Sequence, residues 1–311
     1  MLNKNNVVII GTFDGVHRGH QHIIEQAIKI CKKNKGKVIA VTFDIPPRLF
    51  LKPKLSPYLL TCKEEKQQIL TDFGVSSVDI IRFSLNFSIQ SPDLFFEEFI
   101  YQKYLPKHII VGYNFMFGKD RLGTVETLRE LGKKRGIQVH IVPPFCDSLG
   151  PISSGRVRQY LQSEQLDSAI QLLGYPYRVS GRVEKGQGLG GTLGFPTANL
   201  TVDLRKILPQ GVYLVQVYIL KISNLSIVRE KIGFGICNIG FRPTISISKN
   251  KKISCEIHIL NFSKNIYGKK LQIDILKFLR SEKKFKNIIS LKKQLVQDKK
   301  NALDYIQSFT Q

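Results

Sequence analysis

The chain has 311 residues, 42% of them hydrophobic, enough for more than one core, and no apolar run approaches the roughly 20 residues that cross a bilayer. Five scattered cysteines with no CxxC pair give neither a disulfide framework nor a zinc site, and "MLNKNNVVII" has neither the length nor the cleavage site of a signal peptide, so the expected address is cytoplasmic. The net charge of +23 fits either attraction of polyanions or lysine as ordinary surface filler, with the strongest local excess, twelve Lys/Arg against four Asp/Glu, in 264–311.

In chain order, "VVII" (7–10), "KVIAVTF" (37–43), "VDIIRF" (78–83), "HIIVG" (108–112) and "IQVHIV" (137–142) read as buried strands with helical stretches between them. That alternation predicts a parallel sheet in an α/β domain. After the first strand, Ile23, Ile24, Ala27, Ile28 and Cys31 share one helical face, and "KNKGK" ends the helix. A second amphipathic helix is expected from "PISSGRVRQYL", capped by Ser153 or Ser154, through Leu166, Ile170 and Leu173 to Gly174. From about residue 177 strand follows strand, as in "GVYLVQVYI" (211–219), "ISCEIHIL" (253–260) and "LQIDILKFL" (271–279), which predicts an antiparallel sheet or small barrel. The stretch 284–309 reads as a closing helix, and the change of texture places a domain boundary near Tyr175, between 1–174 and 175–311.

Two stretches carry chemistry. In "VVIIGTFDGVHRGHQHII" (7–24), three of the six histidines, His17, His20 and His22, crowd one strand-to-helix turn. Such a turn opens outside the carboxyl ends of the strands, and the helix start near His20 offers unpaired N–H groups to an anion. Gly11, Gly15 and Gly19 let the backbone turn tightly, and His17 and His20 are placed to donate hydrogen bonds to phosphate oxygens that gain charge as a bond to phosphorus breaks. The same histidines also suit a plain polar surface turn. In "EKGQGLGGTLGFPTANL" (184–200), Gly186, Gly188 and Gly191 match GxGxxG, but Pro196 and its neighbours cannot continue a crossover helix. A glycine-rich flap over a nucleotide is the better reading, and no P-loop signature occurs anywhere in the chain.

"GTFDGVHRGHQ" resembles the first motif of the adenylyltransferase family that makes FAD from FMN, and "VGYNFMFG" (111–118) and "ISSGRVR" (152–158) continue the resemblance over most of 7–160. It implies an α/β nucleotidyltransferase domain with a Rossmann-like parallel sheet. The implied reaction is direct attack of the FMN phosphate on the α-phosphorus of ATP, with pyrophosphate leaving and no protein nucleophile. Gly11, Phe13, Asp14 and Gly15 with His17 and His20 would hold the triphosphate, Asn114 would sit in the nucleotide or flavin pocket, and Ser154 with Arg158 would clamp the leaving phosphates. Two positions depart from the family pattern: Ile45 stands where a histidine lies between prolines, and Gly155 where a threonine follows the serine. Each removes a hydrogen bond, so slowed adenylylation is expected.

Downstream, "GFPTANL", "GVYLV", "CNIGFRPT", "CEIHIL", "YGKKL" and "FLRSEKKF" are similar, in order, to the motifs of the riboflavin kinase family across roughly 180–286. The resemblance implies an antiparallel barrel that moves the γ-phosphoryl of ATP to the ribityl 5′-hydroxyl of riboflavin. Gly186, Gly194, Thr197 and Asn199 would bind the nucleotide, Thr197 and Asn199 its Mg²⁺, and Arg280 would close over flavin or phosphates. Glu256 would be the general base, on the face of its strand opposite Cys255, Ile257 and Ile259. Gly191 stands where many relatives carry arginine. Phe115, Phe117 and Phe195 are either walls for a flat flavin or simple core.

Together the two resemblances imply a prokaryotic-type bifunctional enzyme whose partners are ATP, riboflavin and FMN, with no membrane and no specific nucleic acid. Two alternatives stand beside it: a riboflavin kinase with a degenerate adenylyltransferase half, and a basic nucleic-acid-binding protein, for which no RNP, helix-turn-helix or metal-finger signature exists.

Overall fold

The computed structural model describes residues 5–52, 57–186, 189–223, 226–241 and 253–310. Gly188 and the residues 242–244 of "FRPT" lie outside them. The chain forms two compact units, Met1–Arg158 with Leu172–Gly174, and Gln159–Gln171 with Tyr175–Gln311.

In the first unit, β1 (Asn6–Ile10), β2 (Val38–Phe43), β3 (Ser77–Ile81), β4 (Pro106–Gly112) and β5 (Gln138–Val142) form a parallel sheet in the order β3-β2-β1-β4-β5. Every residue of β1 is buried, as a central strand covered on both faces requires. Leaving β1, the chain crosses to β2 on one side, and β4 flanks β1 on the other, so the order reverses between β1 and β4. That reversal opens a crevice at the carboxyl ends of β1 and β4, where open α/β sheets bind ligands. Helix α1 (Arg18–Asn34) follows β1, and its lysine-rich end closes at Lys35 with a left-handed φ of 52°. Of the apolar face read from sequence, Ile24 and Ala27 are fully covered. Helix α2 (Lys63–Asp72) precedes β3.

The second helix expected from the sequence is two helices, α3 (Ser154–Gln162) and α4 (Leu166–Leu173). The break is made by Glu164, which takes a φ of 60°, and is closed by the Gln165 amide donating to Tyr160 O at 2.8 Å. Ser153 caps α3 by accepting from the Arg156 amide.

The second unit is a closed antiparallel barrel of β6 (Tyr177–Glu184), β7 (Ala198–Thr201), β8 (Gly211–Ile222), β9 (Ile227–Phe241), β10 (Ile253–Ile259) and β11 (Lys270–Arg280), in the order β8-β9-β10-β7-β6-β11. Closure gives every strand of the barrel a neighbour on both sides. Helix α5 (Ile288–Thr310) lays Ala302, Tyr305 and Ile306 on Val212, Leu214 and Ile236 of the barrel wall.

Candidate active sites

The turn after β1 is held by one buried carboxylate. Asp14 accepts from the amides of Leu60 and Thr61 at 3.0 Å, from Thr61 Oγ1 at 3.2 Å, and from Arg158 Nη2 at 2.5 Å. Ser154 Oγ donates to the Asp14 carbonyl at 2.8 Å, and Gly15 N donates to Thr61 Oγ1 at 3.1 Å. Arg158 is otherwise fixed by Nε donating to Tyr58 O at 2.9 Å and by the Tyr58 ring 3.8 Å from its guanidinium carbon. Ser154 and Arg158, expected from the sequence to clamp the leaving phosphates, both bond to the Asp14 loop.

Gly15 takes a φ of +81°, and a Cβ there would lie 2.8 Å from Leu60 Cδ1, so no other residue fits the turn. Gly11 has another reason for its size, since its Cβ would meet the Phe13 ring at 3.1 Å. Phe13 is completely buried, with a φ of 43° and its ring edge-on to His20, so its ring is packing rather than an exposed nucleotide contact.

His17 is the N-cap of α1, His20 stands in its first turn, and the two imidazoles stack at 3.8 Å. Their Nδ1 atoms are buried and have no hydrogen-bond partner among the described residues, an unmet capacity that native structures seldom leave without a ligand or water. Burial lowers His17 to about 4, against the opposing pull of Asp14. His20 is held well below the ordinary value by burial, then by the charges of His17, Lys66 and Arg158. Both are neutral near pH 7 and act there as hydrogen-bonding groups rather than cations. His22 does not join them: it lies 3.8 Å from Glu25 and packs against Phe145.

Lys66 on α2 was not singled out from the sequence. It is buried, donates to Phe43 O at 2.7 Å at the end of β2, and is pulled down to about 8 by burial, against Asp14, Asp44 and Cys62. A cation under the crevice was hidden in an ordinary helical "EEKQQ". Asn114 is exposed just beyond the end of β4. Beside it, Phe43, Phe83, Phe87, Phe95, Phe115 and Phe117 help line a cavity of about 410 Å³, so Phe115 and Phe117 are both wall and core. Ile45 is partly buried in the loop after β2, and a Cβ on Gly155 would meet only Ser153 Oγ at 3.6 Å.

In the barrel, register aligns the site. Glu256 is directly opposite Asn238 on β9 and Asn199 on β7, and facing residues of antiparallel strands share a side of the sheet. Burial along β10 alternates as read from the sequence, with Cys255, Ile257 and Ile259 inward and Glu256 and His258 on the other face. The His258 Nδ1–H donates to Pro196 O at 2.9 Å, tying β10 to the PTAN segment. Gly186 lies against Asn199, whose Nδ2 a Cβ would approach to 2.1 Å. Gly194 has a φ of +83°, and Gly191 faces open space.

Two cavities meet at Thr197. One of about 270 Å³ is lined by Phe195, Asn238, Glu256 and Arg280, among others. The other, of about 390 Å³, is lined by Val183, Pro196, Ile257, Phe262 and Tyr267. Thr197 lines both. Arg280 ends β11, and its guanidinium makes a two-bond pair with Asp298 of α5, at 2.9 and 2.8 Å.

No helix among the described residues is long and apolar enough to cross a membrane. The FAD synthetase family model matches residues 1–156, and the riboflavin kinase family model residues 173–306. The chain is 35% identical to a bifunctional riboflavin kinase/FMN adenylyltransferase of Buchnera aphidicola subsp. Schizaphis graminum, over 96% of this chain and 93% of that one. It is 33% identical to the bifunctional riboflavin kinase/FMN adenylyltransferase of Escherichia coli K12, over 96% and 92%. A solved Streptococcus pneumoniae structure described as a macrolide-efflux protein superposes with a TM-score of 0.77 at 30% identity, covering 96% of each chain.

Proposed function

We propose how the two reactions are divided within this chain, which belongs to the bifunctional riboflavin kinase/FMN adenylyltransferase family and so phosphorylates riboflavin to FMN and adenylylates FMN to FAD. The boundary is placed between residues 174 and 175, adenylylation before it and the kinase after it, and the enzyme works in the cytoplasm.

The kinase assignment rests on Thr197 lining two cavities, one of which contains Glu256. Riboflavin occupies the cavity with Phe195, Glu256 and Arg280, ATP the cavity with Pro196 and Tyr267, and the transferring phosphoryl passes beside Thr197. Glu256 accepts the 5′-hydroxyl proton as the oxygen attacks phosphorus. The Thr197 hydroxyl and Asn199 amide oxygen are hard donors that suit Mg²⁺, and among the described residues no cluster of three or more His, Cys, Asp or Glu competes for a metal. Bound there with the nucleotide, Mg²⁺ supplies neutralisation of phosphate charge.

For adenylylation, the triphosphate lies at the start of α1, where the amides of Arg18 and Gly19 precede the first intrahelical bonds and the neutral His17 and His20 have unmet hydrogen-bonding capacity. The isoalloxazine ring of FMN fills the phenylalanine-lined cavity, with Asn114 at its rim. Asp14, Ser154 and Arg158 act by holding the loop that presents the histidines.

Two variants test the division, with ADP release reporting the kinase and pyrophosphate release the adenylyltransferase. Glu256→Gln is expected to lower ADP release by about 10²- to 10⁴-fold while supplied FMN still becomes FAD. His20→Ala is expected to do the reverse, so that FMN accumulates from riboflavin. An E256Q enzyme that releases ADP at the normal rate would overturn the assignment of the base.

A further inference from the structure

The flavin cavity of the kinase site has a charge arrangement that separates its substrate from its product. Riboflavin is neutral, and FMN differs from it by a phosphate that is largely dianionic at neutral pH. Among the described residues, three carboxylates, Glu256, Glu282 and Asp298, and two cations, Arg280 and Lys283, line the cavity. The strongest cation among them is already matched. Arg280 Nε donates to Asp298 Oδ1 at 2.9 Å and Nη2 to Oδ2 at 2.8 Å, while Nη1 donates to Ser281 O at 2.9 Å. Asp298 is only 1% exposed, and Gln294 Nε2 donates to its Oδ1 at 2.8 Å from one turn earlier on α5. A carboxylate so buried, in a helix whose other charges are mostly lysines, is not a solvated surface group.

We propose that Asp298 is a positioning residue that fixes the Arg280 guanidinium in the cavity wall and cancels its charge, so that the kinase site favours neutral riboflavin and releases anionic FMN. This inference rests on the reading that the flavin occupies this cavity. Two guanidinium N–H bonds remain to meet flavin or ribityl oxygens, while the matched charge offers a phosphate dianion little attraction. Without Asp298, the same guanidinium becomes an uncompensated cation beside the newly made phosphate, and the product is retained.

The test is the ratio of two constants on the full-length enzyme: the Ki of FMN competing with riboflavin, over the KM of riboflavin. ADP release is the signal, because only the kinase reaction produces ADP and FMN bound elsewhere in the chain does not enter it. Asp298→Asn preserves shape and one acceptor, and is expected to lower the ratio by roughly tenfold, the scale of one close charge pair in a partly screened site. Asp298→Glu, which keeps the charge, is expected to keep the ratio. The double variant R280Q/D298N is expected to restore the wild-type ratio, since the uncompensated charge is gone. Should D298N fail to fold, R280K/D298N carries the same uncompensated charge on a side chain flexible enough to reach solvent, and must show the same fall. A D298N enzyme in which Ki and KM change by one common factor, or not at all, overturns the counter-charge. An Arg280→Gln enzyme with unchanged riboflavin KM overturns instead the placement of the flavin in this cavity.

Discussion

Replacing Asp14 by asparagine is the sharpest perturbation of the first unit. The side chains of Arg158 and Asp14 are 13% and 2% exposed, so their pair is screened by little solvent. Asparagine still accepts from the Leu60 and Thr61 amides but turns either its own NH₂ or a neutral oxygen toward Arg158, leaving a buried guanidinium without its counter-charge. Breaking a buried pair costs about 3–5 kcal/mol, and the retained acceptor puts this case near 3. At about 2–4 °C per kcal/mol for a unit of this size, the midpoint of its thermal transition should fall by about 6–12 °C. The same loss loosens the loop that carries His17 and His20, and displacement by an ångström costs about 10²-fold in a positioning-dominated transfer. Scanning calorimetry reads the first effect, and FAD formation from supplied FMN the second, with ADP release from riboflavin as an internal control. A midpoint within about 2 °C of wild type together with intact FAD formation would refute the role given to the Asp14–Arg158 pair.

The remaining predictions address single side chains. Because burial holds His17 near 4 against an ordinary 6.5, the unfolded chain takes up its proton first; stability of the first unit is complete above pH 6.5 and falls progressively toward pH 4. Denaturation midpoints measured across that range should show the slope, and His17→Asn should make it shallower, leaving the share of His20, which burial also holds below its ordinary value. Gly186→Ala places a Cβ 2.1 Å from Asn199 Nδ2, so the KM for ATP in the kinase assay should rise by about tenfold while that for riboflavin holds. Ile45→His supplies the imidazole that the adenylyltransferase pattern carries, and FAD formation should accelerate several-fold with no change in ADP release. Gly191→Arg enters open space and should lower the KM for ATP without moving the melting temperature.

The sheet and the barrel were legible because their strands are apolar on two faces or alternate cleanly: β1 is buried throughout, and β10 alternates at every residue from Ser254 on. The break between α3 and α4 was not, since no glycine or proline marks it and Glu164 takes a left-handed conformation that glutamate seldom adopts. Nor were β6 and β7 singled out: "YRVSGRVE" carries glycine and two arginines, and β7 has four residues. Lys66 and Asp298 were invisible for a related reason. In helical stretches rich in charge, a buried charged residue is spelled like an exposed one, and only its packing partners distinguish them.

The motif residues around α1 also carry a structural task that their letters do not spell out. Ser154 and Arg158 lie 140 or more residues from Asp14, yet both bond to it. Those bonds place the histidine turn against α3 whatever residue stands at 155. A Cβ on Gly155 meets nothing nearer than 3.6 Å, so glycine there neither opens a packing defect nor relieves a clash. The loop is thus fixed by groups this chain retains, and the two departures, Ile45 and Gly155, lie outside the set of groups bonded to Asp14. FAD formation from supplied FMN is therefore expected to be slower than in the Ile45→His variant rather than absent, because positioning and charge stabilisation contribute separately to the barrier.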